Sequence, residues 1–147
     1  MQNPANTNSN HFSALLSQLQ SLYPNFTFRP ADVFHFSPPC TIYYAKTSPY
    51  LDMQNCSLLL HELGHALLSH RDFTHSADLL RLEVAAWQRA KTLHQRFHVP
   101  WEEDFVQDRL DSYRNFLYSD TLCPHCQSTG FHLSNGKKSC PSCGHQW

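Results

Sequence analysis

The stretch HELGHALLSH, residues 61–70, places two histidines four positions apart with a glutamate between them. Residues four apart share one face of an α-helix, so the imidazoles of His61 and His65 can reach one ion. Two neutral imidazoles suit zinc, which acidifies a water molecule at an open position, and the Glu62 carboxylate can accept that proton. A pair of solvated helix histidines is the competing interpretation.

The neighbours of this motif favour a buried helix. Two histidines and a glutamate would be costly in such a helix without a metal. Gly64 lies in its middle, where glycine costs about 1 kcal/mol relative to alanine. Glycine is best tolerated where another backbone comes close, and we expect a sheet edge packed over the site. The apolar neighbours are Cys56, Leu58, Leu59, Leu60, Leu63, Ala66, Leu67 and Leu68.

A catalytic zinc site needs a third protein ligand, and His70 is the nearest candidate in the sequence. At about 100° per residue, His70 on a continuous helix points roughly 180° from His61 and roughly 140° from His65. His70 is therefore predicted to point away from the shared ion. We expect it at the helix end, where a donor meets exposed carbonyl groups.

The next predicted helix carries a carboxylate on its buried face, at Glu83. A buried carboxylate requires a cation or a dense set of donors, and a zinc ion held by His61 and His65 would supply the cation. A buried salt bridge to an arginine is the alternative. The other positions of this apolar stripe are Leu79, Ala86, Ala90, Leu93 and Phe97.

A second set of metal-ligand residues lies near the C-terminus, where CPHC and CPSC are separated by 13 residues. This is the spacing of two zinc knuckles that hold one tetrahedral ion, and it resembles a zinc ribbon. So small a module buries little apolar surface and needs the metal to fold, although Phe131 and Trp147 can cover its hairpin. His125 and His145 are extra potential ligands, but four thiolates suffice. The ligands are Cys123, Cys126, Cys140 and Cys143.

The charges of this C-terminal module argue against nucleic-acid binding. From Thr121 onward the chain has two lysines, Lys137 and Lys138, and no acids, while one zinc ion with four thiolates contributes a charge of −2. The rest of the chain has 9 basic and 12 acidic residues. A phosphate-binding surface would carry a cluster of lysine and arginine. We therefore expect the module to dock a protein or recruit a substrate.

The elements that must position these residues form an α+β fold. Asn10 can cap a first helix, which Pro24 ends. Two segments rich in aromatic and β-branched residues, 25–30 and 33–46, predict a small antiparallel sheet of two or three strands. Helices are predicted at 53–70, 77–97 and 101–118. The first helix carries, on one side, Phe12, Leu15, Leu16, Leu19 and Leu22.

The 147-residue chain has room for one domain, predicted at 11–120, and a small appended module at 121–147. Residues 1–10 are predicted to be disordered. They have no basic start and no apolar run, so they do not resemble a secretory signal or a membrane anchor. A cytoplasmic location without membrane contact is the resulting expectation. The two remaining cysteines, Cys40 and Cys56, are predicted to be buried and reduced.

HELGHALLSH followed by LLRLEVAAWQRA resembles the gluzincin pattern of two histidines and a downstream helical glutamate. It is most similar to the ImmA/IrrE family of small metallopeptidases, over roughly residues 40–95. The resemblance implies a zincin-like domain in which His61, His65 and Glu83 bind zinc and Glu62 is the general base. Members of this family are associated with cleaving or regulating transcriptional repressors. This chain has no obvious helix-turn-helix segment.

The expected function is that of a zinc-dependent endopeptidase with two zinc ions per chain, one catalytic and one structural, acting on a protein or peptide. An extended substrate could add as a strand to the edge of TIYYA, residues 41–45. The alternative is a non-catalytic, zinc-stabilised interaction protein, although such a scaffold has no structural use for Glu62. The candidate donors to the developing oxyanion are Tyr43, Tyr44, His75 and Tyr113.

Overall fold

The computed structural model of the protein describes residues 10–45, 51–72 and 76–147. Within these ranges four helices, a three-stranded sheet and a two-stranded sheet confirm the α+β class. The predicted disordered segment lies outside the described residues, apart from Asn10. In chain order the elements are α1 (His11–Leu22), β1 (Thr27–Ala31), β2 (His35–Ser37), β3 (Thr41–Ala45), α2 (Asp52–Leu67), α3 (Ser76–Phe97), α4 (Glu103–Thr121), β4 (Phe131–His132) and β5 (Lys138–Ser139).

The start of α1 is capped from two sides. The backbone N–H of Ser13 donates to Asn10 Oδ1 at 3.0 Å, as the sequence predicts. The Asp52 carboxylate of α2 also accepts the N–H groups of His11 and Phe12, at 3.0 and 3.1 Å. A negative charge is favourable at a helix N-terminus, so this contact stabilises α1 and ties it to α2.

The apolar face of α1 ends one turn earlier than expected. Phe12, Leu15 and Leu19 are buried and Leu16 packs against the core, whereas Leu22 is 47% exposed. Tyr23 packs against the core at this end of the helix, since the chain leaves helical geometry there.

The three-stranded sheet is mixed, so the predicted antiparallel arrangement is wrong in part. Its strand order is β1-β3-β2, with β1 parallel and β2 antiparallel to β3. The chain reverses twice between β1 and β3, which leaves these two strands pointing the same way. TIYYA is β3, the central strand, and both of its edges are paired. The expectation that TIYYA offers a free edge is therefore wrong.

Helix α2 is the centre of the core. Helices α1 and α3 and the strands β2 and β3 all pack against it, which confirms that the motif lies on a buried helix. Leu59, Leu60 and Leu63 are fully buried, as is Ile42 of β3. None of the helices in the three described ranges is long and apolar enough to cross a membrane.

Gly64 marks the point where α2 and α3 cross. A Cβ atom at this position would lie 2.6 Å from the carbonyl oxygen of Ala86. The close backbone therefore belongs to helix α3, and the expected sheet edge was wrong. Because Ala86 is one turn from Glu83, this tight crossing also sets how near Glu83 comes to the histidines of α2.

Replacing Gly64 with alanine should destabilise the protein. An ordinary helical glycine gains about 1 kcal/mol of stability from this change. Here the new methyl group meets a backbone carbonyl, and we expect a loss of about 1–3 kcal/mol in the free energy of unfolding. Urea unfolding measures it, with Gln54→Ala in the same helix as a control for helix propensity. A Gly64→Ala variant more stable than wild type would contradict this helix crossing.

The segment after α4 forms a small hairpin. β4 pairs antiparallel with β5, and the Gly130 N–H donates to the Thr121 carbonyl at 2.7 Å. The indole of Trp147 occupies the space that a side chain at Gly130 would need, so Trp147 covers the hairpin as predicted. Phe131 does not, because its side chain is 50% exposed.

Candidate metal centres

The side chains of His61, His65 and Glu83 converge between α2 and α3. The Nε2 atoms of His61 and His65 are 3.1 Å apart. Glu83 Oε2 lies 2.9 Å from His61 Nε2, and Glu83 Oε1 lies 3.3 Å from His65 Nε2. The three side chains are between 6% and 12% exposed. One ligand atom from each lies within 4.8 Å of the others.

These distances fit one tetrahedral metal ion. With zinc–ligand bonds of about 2.0–2.1 Å, neighbouring ligand atoms in a tetrahedron are about 3.3 Å apart. The 3.1 Å between the two imidazole nitrogens and the 2.9 and 3.3 Å from each imidazole to its nearer Glu83 oxygen differ from that value by only a few tenths of an ångström. Two imidazoles and one carboxylate are also the donor set of zinc sites that keep an open position for water. In the described part of the chain, Glu83 pairs with these histidines and with no arginine.

The protonation states of these groups also suit a metal. Burial lowers the pKa of His61, which favours the neutral ring that binds metal. Burial alone would raise the pKa of Glu83, but hydrogen bonds and charge from His61 and His65 lower it to about 2. Glu83 is therefore an ionised carboxylate held against two imidazoles.

Glu62 lies beside the cluster and is only 9% exposed. Burial, followed by the negative charge of Glu83, raises its pKa to about 7. The charge of His65 and a hydrogen bond from the backbone of Phe36 act in the opposite direction. A carboxylate with a raised pKa can take up and release a proton near neutral pH, as a general base must.

The cluster lies in a cleft formed by two cavities, of about 320 and about 240 Å³. Glu62, Glu83 and Tyr113 line both cavities, so the cleft continues on either side of them. The larger cavity extends toward Asp32 and Arg109. The smaller one extends along β2 and the end of α2.

Of the four predicted oxyanion donors, Tyr113 is the one that the described structure brings to this cleft. Burial raises its pKa to about 12, and the charges of Glu83 and Glu62 act in the same direction. Tyr44 packs on Phe12, with ring centroids 5.8 Å apart. Tyr43 instead stacks on His35 at 4.4 Å. Neither Tyr43 nor Tyr44 lines the cleft, and His75 lies outside the described residues.

His70 does not point away from the cluster, as the projection on a continuous helix predicted. Helix α2 ends at Leu67, and Ser69 adopts a left-handed φ of 54°. The chain turns back, so that His70 Nδ1 lies 2.8 Å from Nδ1 of His65. His70 is nevertheless outside the group of converging ligand atoms, which agrees with its exclusion as a ligand.

Two further residues of the site were missed from the sequence. The indole of Trp87 stacks on the His61 ring, with centroids 4.2 Å apart and planes 23° apart. Its position one turn after Glu83 on the same helix face was the available signal. Arg109 lines the larger cavity, and its guanidinium lies over Phe105 at 5.4 Å from the ring centroid. No local signal placed α4 near the cluster.

The four C-terminal cysteines form the second candidate metal centre. The Sγ atoms of Cys123 and Cys143 are 3.7 Å apart, and those of Cys126 and Cys140 are 3.4 Å apart. A tetrahedral zinc ion with bonds of about 2.3 Å to sulfur requires separations of about 3.8 Å. All four sulfur atoms lie within 4.8 Å of one another, without His125 or His145.

The two Cys-x-x-Cys turns have matching backbone geometry. Gln127 N–H donates to the Cys123 carbonyl and Gly144 N–H to the Cys140 carbonyl, each at 2.9 Å. Gln127 and Gly144 both take a left-handed φ, of 62° and 74°. Each turn thus brings its two thiols to the same side.

The other two cysteines form no disulfide. Cys56 is fully buried, as predicted, and burial raises the pKa of its thiol to about 12. Cys40 is only partly buried, since it lies in the turn before β3.

Comparisons of the chain with protein-family models, with curated proteins and with solved structures find no match in any of the three. The two candidate metal centres are therefore described from their geometry alone. One is a buried histidine and carboxylate cluster in a cleft, and the other is a cluster of four thiols in a hairpin.

Proposed function

We propose that this protein is a zinc metalloendopeptidase of the gluzincin type, similar to the ImmA/IrrE family that its motif resembles. The observation that carries the proposal is the convergence of His61, His65 and Glu83 beside a buried Glu62 in an open cleft. These are two imidazoles and one carboxylate to hold a metal, with a second carboxylate in position to move a proton.

In this proposal His61 Nε2, His65 Nε2 and the Glu83 carboxylate hold the zinc ion. When bound, zinc acidifies a water molecule and polarises a carbonyl group. The Glu62 carboxylate accepts the proton of the attacking water and later passes it to the leaving amine. Burial of Glu62 supports this role, because it raises the pKa of the carboxyl to about 7.

Tyr113 is the proposed donor to the developing oxyanion. Its phenol lines both cavities, within reach of the charges of Glu62 and Glu83. A pKa of about 12, to which a hydrogen bond with Glu83 contributes, keeps the hydroxyl protonated at neutral pH, so the phenol retains the proton that it would donate. A preorganised donor of this kind acts most strongly in a site that excludes water.

We propose that an extended peptide occupies this cleft. The cavities continue on both sides of Glu62, which supports cleavage within a chain. Phe34, His35 and Phe36 line the smaller cavity, and β2 forms an outer strand of the three-stranded sheet. An extended substrate can add to such an edge through backbone hydrogen bonds. The resemblance makes a regulatory protein such as a repressor a candidate substrate.

We further propose that the C-terminal hairpin is a structural zinc ribbon that docks a protein. Lys138 Nζ is 2.7 Å from Asp120 Oδ1, so one of the two lysines of the module is already paired. Lys137 alone is a weak basis for binding phosphates, which favours a protein over a nucleic acid.

A non-catalytic, zinc-stabilised interaction protein is the alternative function. Such a protein would need the ligands but would have no use for Glu62. A buried carboxylate with a raised pKa costs stability, so a scaffold would lose little by replacing it. The presence of Glu62 therefore favours the peptidase.

Purified protein should contain two zinc ions per chain, because the two ligand sets are separate. Elemental analysis after removal of free metal measures this content. His61→Ala and Cys140→Ser should each leave one ion, and the double variant none. An unchanged zinc content in His61→Ala would contradict the histidine centre. The same result for Cys140→Ser would contradict the cysteine centre.

The peptidase activity itself is tested on a mixture of cellular proteins. Zinc-loaded protein is incubated with a cell lysate, and new peptide termini are identified by mass spectrometry. We expect new termini that are absent with His61→Ala, which retains the C-terminal centre. Identical termini with both proteins would refute the peptidase and favour the alternative.

A further inference from the structure

The end of α2 places His70 against His65 through a specific backbone turn. Ser69 N–H donates to the Ala66 carbonyl and His70 N–H to the His65 carbonyl, each at 3.1 Å. Ser69 itself adopts a left-handed φ, and together with this conformation the two hydrogen bonds form a Schellman motif. In this motif the residue that follows the left-handed position contacts the residue five positions before it. Here the first of these residues is His70 and the second is His65.

The hydrogen bond between the two rings fixes where their protons lie. His65 Nε2 faces His61 and Glu83, so binding an ion requires a lone pair on that nitrogen. The neutral ring then carries its proton on Nδ1. That proton points to His70 Nδ1, 2.8 Å away, which must accept it. The proton of His70 is consequently on its own Nε2.

We propose that His70 is a positioning residue that holds His65 in the tautomer and orientation needed to bind a metal. This inference rests on the metal centre of the proposed function and adds a residue that does not touch the ion. Groups that accept the second N–H of a metal-bound histidine orient the ring, and their loss typically lowers metal affinity by about 10- to 100-fold. Here the acceptor comes from the end of the same helix, because the turn at Ser69 brings His70 back to His65.

The test uses cobalt(II) as the probe, titrated into protein whose cysteine cluster is already filled with zinc. Visible absorption of the histidine-bound cobalt reports the affinity. We expect His70→Leu to weaken cobalt binding by about 10- to 100-fold. His70→Asn should restore most of the loss, because its Oδ1 can accept a hydrogen bond where Nδ1 did. Arg71→Lys, an exposed neighbour on the same turn, is the control and should leave the affinity unchanged.

Nuclear magnetic resonance of the ring nitrogens separates positioning from mere packing. In zinc-loaded protein with ¹⁵N-labelled histidine, the Nδ1 proton of His65 should exchange slowly in wild type and in His70→Asn, and rapidly in His70→Leu. If leucine disturbs folding, His70→Phe keeps a ring in place without an acceptor and should behave in the same way.

Wild-type affinity in both His70→Leu and His70→Phe would overturn the inference, as would equal weakening by asparagine and leucine. Failure of wild type to bind cobalt at this site would overturn the metal centre and this inference together. Tight, His70-dependent binding without any peptide hydrolysis would support the inference and refute only the peptidase.

Discussion

A Glu62→Gln variant is expected to fold and to bind zinc at both centres, but to lose peptide hydrolysis by about 10²- to 10⁴-fold. Glutamine has nearly the shape of glutamate, so packing around α2 should not change. The amide cannot accept a proton from water. Because Glu62 is buried, replacing its carboxylate with a neutral group should not lower the free energy of unfolding.

The measurement compares zinc-loaded wild type and Glu62→Gln in the lysate assay, at equal zinc content. Asp108→Asn is the matched control, since it makes the same acid-to-amide change at an exposed position of α4. It should produce the wild-type termini. A Glu62→Gln variant that produces the same termini at the same rate would show that Glu62 is not the general base.

Glu83→Ala should lose the zinc ion of the histidine centre at limiting metal while keeping the one in the cysteine cluster. The carboxylate lies within 3.3 Å of both imidazoles, and its removal leaves only two protein ligands. Loss of a group that only hydrogen-bonds to a metal ligand typically lowers metal affinity by about 10- to 100-fold. Because Glu83 is itself a proposed ligand, we expect its loss to lower zinc affinity by more than that. Of the two changes, Glu83→Ala should therefore weaken binding more than His70→Leu.

Zinc content is measured against a soluble competitor of known affinity. Asp108→Ala removes an exposed carboxylate and should retain both ions. Glu83→Gln keeps the volume of the side chain, so its comparison with Glu83→Ala separates lost ligation from a lost packing contact. Equal zinc retention by wild type and Glu83→Ala would mean that another residue completes the centre.

Much of the candidate site could be predicted because it depends on helix periodicity. The spacing of four between His61 and His65 determines that they share a face of α2. Glu83 was predicted from its place in the apolar stripe of α3, since a carboxylate on a buried face must meet a cation or donors. The cluster of four cysteines could also be predicted, because it is defined by two short turns and the spacing between them.

The sequence pattern did not predict the direction that the chain takes where a helix or strand ends. The helix period places His70 opposite the histidines, but a left-handed Ser69 ends α2 first and turns His70 back onto His65. Serine, unlike glycine, gives no strong signal for that backbone conformation. A single φ angle therefore reversed the predicted position of the His70 side chain.

Contacts between distant segments were decided by the tertiary structure alone. Local patterns identified the strands, but the order β1-β3-β2 depends on which edges meet as the core closes. Packing of α4 brought Tyr113 and Arg109 to the cleft, and packing of α3 placed the Ala86 carbonyl over Gly64. Periodicity specifies which face of an element is buried, because that is a property of neighbouring residues. The element that covers that face is chosen by the shape and volume of the whole core, to which every segment contributes.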